Sequence, residues 1–301
     1  MKKYSKLSDI PHGRAAGGVS GGCLVLEGGA FRGVYTSGVI DSLMLGGINL
    51  ECTVGVSAGA MNGLNYAAGE IGRAGTINLT YRHDGRYVGL RPLIHDRGII
   101  GFDFVFNTLG EELPFDMEAF LSSPRRFVAC ATNCLTGRPE YFEKSCGDIY
   151  RAIQASASMP IVSKPVMING IPYLDGGCSS KIPIDWALAQ GYSKIILVRS
   201  REKAFRRPPE SERSRRLKRK FYSKRYPMLL AALLEESERY NALCDRTDAL
   251  EASGRVFVIS PSQPVTASRL EGDMEKLGAL YRLGFEDTRH LLPAISEYLK
   301  L

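Results

Sequence analysis

The 301-residue chain lacks any apolar run long enough to cross a bilayer: Met228–Leu234, the longest near a charged region, falls far short of the ~20 residues a spanning helix needs. No membrane span is expected. Residues 1–20 carry early lysines but no apolar core of secretory-signal length, so they read as a polar arm and export by that route is not expected. Ligand clusters are missing too. The chain has four histidines, and its seven cysteines (Cys23, Cys52, Cys130, Cys134, Cys146, Cys178 and Cys244) show no paired Cys-x-x-Cys spacing. Neither a metal nor an organic cofactor is implied. An odd set of thiols, mostly inside apolar strand-like stretches, reads as reduced and points to the cytoplasm. No internal repeat of fixed period is present.

What is there is an ordinary globular composition, 44% hydrophobic, with enough chain for one large core. The formal charge of +7 is unevenly placed. Between Arg201 and Pro227 lie 12 basic and 3 acidic residues, a local +9 that leaves −2 for the rest. The rest of the chain is therefore not basic, no nucleic-acid module is recognisable, and no nucleic acid is expected as a partner. The segment reads either as a solvated surface or as a peripheral contact for anionic membrane, where each basic side chain contributes about 1 kcal/mol. Phe205, Phe221, Tyr222 and Tyr226 interleave with its charges.

Cys23–Leu26 reads as a short buried strand, followed by the glycine-rich turn Gly28–Gly33 and a helix over Val34–Leu45. Thr53–Val56 and the small-residue run Ser57–Ala68 repeat that strand, turn, helix unit. Further strands are expected at Arg126–Ala131, Glu140–Glu143, Val166–Ile168, Lys194–Val198 and Val256–Ile259, and the alternation predicts a mainly parallel α/β sheet. The stretch 69–120 is irregular, broken at Asp84-Gly85, Arg91-Pro92 and Arg97-Gly98, and reads as an insertion or cap. The expected organisation is a polar arm over 1–20, a catalytic domain over 21–200, a basic segment over 201–227, and C-terminal helices and a strand over 228–301 completing the same domain.

Gly55-Val56-Ser57-Ala58-Gly59 matches G-x-S-x-G, in which flanking glycines permit a sharp strand-to-helix turn that lifts the serine hydroxyl above the sheet. Gly18-Val19-Ser20-Gly21-Gly22 also matches, but no helix follows it, so context selects Ser57. A nucleophilic serine needs donors for the oxyanion it creates, and the loop Gly28-Gly29-Ala30-Phe31-Arg32-Gly33, at a helix start, supplies backbone N–H groups. A P-loop would require Lys and Ser/Thr where Val34 and Tyr35 stand, and a dinucleotide fingerprint would require glycine in place of Ala30. For the base there are two candidates. His290 falls in the right order for a Ser, Asp, His triad but near the start of a helix; Asp175, in Leu174-Asp175-Gly176-Gly177, stands where a strand ends and glycines let its carboxylate approach another loop.

These three motifs, in this order in one α/β chain, resemble those of the patatin-like phospholipases, bacterial members included, from about Cys23 to Val198. Arg269–Arg282, with Asp273, Leu280 and Tyr281, is similar to the C-terminal part of bacterial members. The resemblance implies a three-layer α/β/α fold with a mainly parallel central sheet, and lipid acyl-ester hydrolysis of phospholipase A or lysophospholipase type. It also implies Ser57 as nucleophile, Asp175 as its base without a histidine, an oxyanion hole from Gly28, Gly29 and Ala30, and Arg32 meeting a substrate phosphate or supporting the loop. One departure is that the family has a third glycine where this chain has Ala30. A carboxylesterase, thioesterase or acyltransferase for small acyl compounds, and a non-catalytic lipid-binding scaffold, remain as alternatives.

Overall fold

The computed structural model describes residues 2–95 and 98–301, so the Arg97 half of the expected Arg97-Gly98 break lies outside the described residues. In chain order the strands are β1 (Gly13–Arg14), β2 (Ser20–Leu26), β3 (Leu50–Val56), β4 (Glu70–Ile71), β5 (Arg126–Asn133), β6 (Pro139–Glu143), β7 (Val166–Ile168), β8 (Ile171–Asp175), β9 (Ile195–Val198) and β10 (Phe257–Ile259). The helices are α1 (Val34–Leu45), α2 (Ala58–Ala68), α3 (Arg73–Tyr81), α4 (Leu90–His95), α5 (Leu109–Glu112), α6 (Met117–Ser122), α7 (Ile149–Ser156), α8 (Ile184–Ala189), α9 (Glu212–Tyr222), α10 (Pro227–Leu234), α11 (Glu236–Ala252) and α12 (Met274–Leu299).

Among the described residues, eight strands form one sheet in the order β10-β9-β2-β3-β5-β8-β7, with β6 also paired to β5. The run from β10 to β5 is parallel, and β6, β8 and β7 join antiparallel. Alternate residues of β2 explain the layering. Leu24 and Leu26 pack with Tyr35 and Val39 of α1 and Leu280 of α12. Cys23 and Val25 pack on the opposite face with Ile184 of α8 and Tyr240 and Cys244 of α11. Strands covered on both faces read as continuous apolar runs, which is why these were legible. The result is a three-layer α/β/α molecule.

Ser20, expected ahead of the strand Cys23–Leu26, is the first residue of β2. The hairpin joining β7 to β8 turns on Asn169-Gly170, both at positive φ (49° and 79°), the backbone that a tight two-residue turn demands. It delivers Asp175 opposite Ala131 of β5, level with the Val56 to Cys130 pairing that precedes Ser57. Segment 69–120 supplies Ile77, Tyr87, Phe104 and Val105 to an apolar cluster beside the loop that follows β2. Tyr4 and Ile10 are buried in that same cluster, and β1 pairs with β4, so the N-terminal residues lie against the body. At the other end of the chain β10 extends the sheet edge.

Candidate active site

The carboxyl ends of β2, β3 and β9 meet at one place, where an open parallel sheet leaves a crevice. Ser57 sits there at φ 56° and ψ −122°, a backbone that costs a non-glycine residue about 1–3 kcal/mol and persists because its surroundings enforce it. Steric closeness explains the glycines of the motif: a Cβ on Gly59 would come 2.4 Å from the Leu26 carbonyl oxygen. Beneath the turn, the Ser57 N–H donates to Ser156 Oγ (2.9 Å), and the Ser156 hydroxyl donates to the Cys130 carbonyl (2.6 Å). Motif reading missed Ser156; the small-residue run Ala155–Ser158 at the end of α7 was its one visible trace.

Asp175 is buried beside Ser57. Its N–H donates to the Ser158 carbonyl (2.8 Å), its own carbonyl accepts from Thr132 Oγ1 (2.8 Å), and its Oδ1 accepts from the Gly177 N–H (2.7 Å). A Cβ on Gly176 would meet the Cys130 carbonyl oxygen at 2.2 Å, so this glycine lets the turn lie on β5. Burial holds the Asp175 carboxyl above the usual carboxylate range, opposed by the Ser57 hydroxyl, by Lys181 and by the Gly177 N–H. His290 is exposed on α12, and His12 and His83 are exposed as well; none of these three lines the crevice.

The glycine-rich loop divides by its hydrogen bonds. The Gly28 N–H donates to the Lys181 carbonyl (3.2 Å) and the Phe31 N–H to the Arg269 carbonyl (3.2 Å). Gly28 was expected among the oxyanion donors; in this structure its N–H is engaged by that bond. The N–H groups of Gly29 and Ala30 have no partner among the described residues. Ala30 adopts φ 50°, the conformation in which the missing third glycine would have been unstrained; alanine there costs about 1–2 kcal/mol. Asn62 ties this loop to α2, donating to the Gly33 carbonyl (2.9 Å). Arg32 is buried with its Nε unpartnered.

Ser57 and Ala30 open onto an apolar cleft of about 790 Å³ counting its mouth, lined by Val34, Met61, Ile77, Val105, Phe106 and Met159 among others. The expected cap segment thus forms one wall. No helix among the described residues is long and apolar enough to cross a membrane.

Two family models match the sequence. The family model described as patatin-like phospholipase matches residues 24–188, and one for a domain of unknown function (DUF6363) matches residues 226–300. An uncharacterised protein of Escherichia coli K12, YjjU, is 25% identical over 281 residues, covering 92% of this chain and 78% of that protein. The lysophospholipase nte1 of Aspergillus terreus is 30% identical over 192 residues, 58% of this chain but only 12% of that much longer protein. The crystal structure of VipD from Legionella pneumophila aligns over 91% of this chain and 67% of its own with a TM-score of 0.49 and 15% identity. The family match supports a lipid acyl hydrolase. The chain belongs to the patatin-like phospholipase family, whose model spans more than half of its length.

Proposed function

We propose that this protein cleaves acyl esters of phospholipids or lysophospholipids through a Ser57–Asp175 dyad. The observation that carries the reading is a strained Ser57 facing a buried carboxyl at the mouth of an apolar cleft. Ser57 Oγ attacks the ester carbonyl while its proton passes to Asp175, and the carbonyl oxygen, now negative, is held by the N–H groups of Gly29 and Ala30. Expulsion of the alcohol, which takes the proton from Asp175, leaves an acyl group on Ser57. Water then attacks that acyl-enzyme, releasing the fatty acid and restoring the serine. A carboxylate is a weak base for a hydroxyl, so the donors and the head of α2 carry much of the effect; one such donor contributes about 3 kcal/mol. The acyl chain lies in the cleft.

A cytoplasmic location accords with seven unpaired cysteines, six of them buried. Peripheral contact with anionic membrane is supported by α9 and the turn after it, where Leu217, Phe221 and Met228 are exposed among Arg216, Lys220, Lys224 and Arg225.

Ser57→Ala is expected to abolish hydrolysis of a long-chain activated ester and labelling by a fluorophosphonate, with an unchanged circular dichroism spectrum, while Ser20→Ala matches wild type. Equal turnover in Ser57→Ala and wild type would end the proposal. A panel from short acyl esters to lysophospholipids separates this reading from an esterase for small acyl compounds, which would favour the short ones.

A further inference from the structure

The cleft that opens at Ser57 has apolar walls and a charged end. Ala58, Met61 and Asn65 lie three and four residues apart on α2, so they share one face of that helix and mark distance from the nucleophile. Asn65 is the eighth residue after Ser57, which places it about 12 Å away at the ~1.5 Å rise of an α-helix. At that depth stands Arg73. Its Nη1 donates to Asn65 Oδ1 (3.1 Å), its Nη2 donates to the Leu113 carbonyl (3.1 Å), and its Nε pairs with Glu70 Oε2 (3.3 Å). Its guanidinium carbon also lies 5.2 Å from the centre of the Phe115 ring.

Exposure tells the two ends of the cleft apart. Leu270, on the same lining, is 47% exposed, whereas Arg73 is 8% and Asn65 4% exposed. Leu270 therefore marks the mouth and Arg73 the closed end. That end resists an intruding methyl group. Displacing Arg73 would strip a buried cation of its partners and leave Glu70 without its nearest one, and a hydrocarbon has no hydrogen bond to offer in exchange. An extended chain advances about 1.2 Å per bond, three bonds in ~3.5 Å, so a depth of about 12 Å holds about ten carbons. A sixteen-carbon chain needs about 18 Å, and its excess has to stay in water at the mouth, where it gains nothing from burial.

We infer that the Arg73–Glu70 pair closes the acyl cleft and sets its length, which selects lipids with acyl chains of about ten carbons. This rests on the acyl-hydrolase reading. The test uses lysophosphatidylcholines of six, ten and sixteen carbons in the same detergent micelles and reads ratios of kcat/KM, so that partitioning into the micelle cancels between variants. Wild type is expected to favour ten carbons over both others. Arg73→Met combined with Glu70→Gln, which leaves no buried carboxylate without its cation, should raise the sixteen-to-ten ratio at least tenfold, through KM. Met61→Trp, one turn along α2 from Ser57, should fill the cleft about halfway and lower the ten-to-six ratio by as much.

A wild type that favours sixteen carbons over ten would overturn the inference, as would an unchanged sixteen-to-ten ratio in the double variant at a native circular dichroism spectrum. If the double variant does not fold, Met61→Trp decides: a lowered ten-to-six ratio upholds the path along α2, and an unchanged one removes it and the inference with it. If wild type hydrolysed none of the three lipids, the hydrolase reading would fall separately. Calorimetric titration with decanoate and palmitate would then settle the length of the cleft. Decanoate bound at least as tightly as palmitate upholds it; palmitate bound more tightly, or neither bound, removes it.

Discussion

At the scale of single residues, Asp175 carries two opposed demands. Burial lifts its carboxyl above the ordinary range, yet a base must be ionised to accept the Ser57 proton. Hydrolysis should therefore rise with pH through a value above the usual ~3.9 of an aspartate, measurable as the acid limb of kcat/KM. A limb at or below that value would contradict the assigned role. Asp175→Asn should lower kcat by roughly 10²–10⁴, the contribution typical of a positioned base, whereas His290→Ala should keep most activity. Stability should move oppositely. A carboxyl whose folded pKa is raised binds more protons folded than unfolded, so its contribution to stability falls as pH rises from the unfolded to the folded value. Asp175→Asn removes that cost, and its Tm at neutral pH should not fall below wild type. The serine motif and Asp-Gly-Gly were legible because glycine is needed wherever backbones nearly touch; Ser156 was not, since nothing in its sequence setting says which amide it will meet.

Among elements, the seam between α1 and α12 shows how tightly the first and last parts of the chain are joined. A Cβ on Gly38 would fall 2.1 Å from the Tyr281 carbonyl oxygen, and one on Gly284 would fall 2.1 Å from that of Tyr35. Tyr281 also donates its hydroxyl to Asp41 Oδ2 (2.7 Å), buried in the same seam. With backbone on the other side, an added methyl has nowhere to go. Gly38→Ala should cost about 3 kcal/mol, at the upper end for overpacking, read as a lower urea midpoint. Gly110→Ala in α5, where the space is open, should be neutral or better. Equal midpoints for both variants would refute this account of the seam. The limits of α1 were readable from apolar periodicity and the glycines at its ends. That Gly38 meets Tyr281 and Gly284 meets Tyr35 depends on contacts across more than 200 residues, which no local pattern encodes.

For the whole molecule, charge counted along the chain differs from charge in space. Much of the basic segment is neutralised by distant carboxylates: Arg206 meets Asp245 and Asp248 (2.7 Å each), Arg207 meets Glu236, and Lys203 meets Glu251. Lys218 is buried, bound to Glu210 (2.6 Å) and the Leu233 carbonyl (2.8 Å). Arg216, Lys220, Lys224 and Arg225 face solvent beside the exposed Leu217, Phe221 and Met228. Changing Arg216, Lys220, Lys224 and Arg225 to Gln should therefore weaken sedimentation with anionic vesicles. Added salt should do the same to wild type, since the attraction is screened over ~8 Å at physiological ionic strength. Hydrolysis of a soluble short-chain ester should be much less affected. Equal binding of wild type and variant to anionic and neutral vesicles at low salt would withdraw the membrane contact. The sequence by itself determined the layered α/β core and the three motifs, because strands buried on both faces need apolar runs and close backbone approach needs glycine. Tertiary structure alone decided which donors of the glycine loop stay free and which basic residues are paired with carboxylates. Those outcomes depend on contacts between residues far apart in the chain, and a linear pattern carries no record of them.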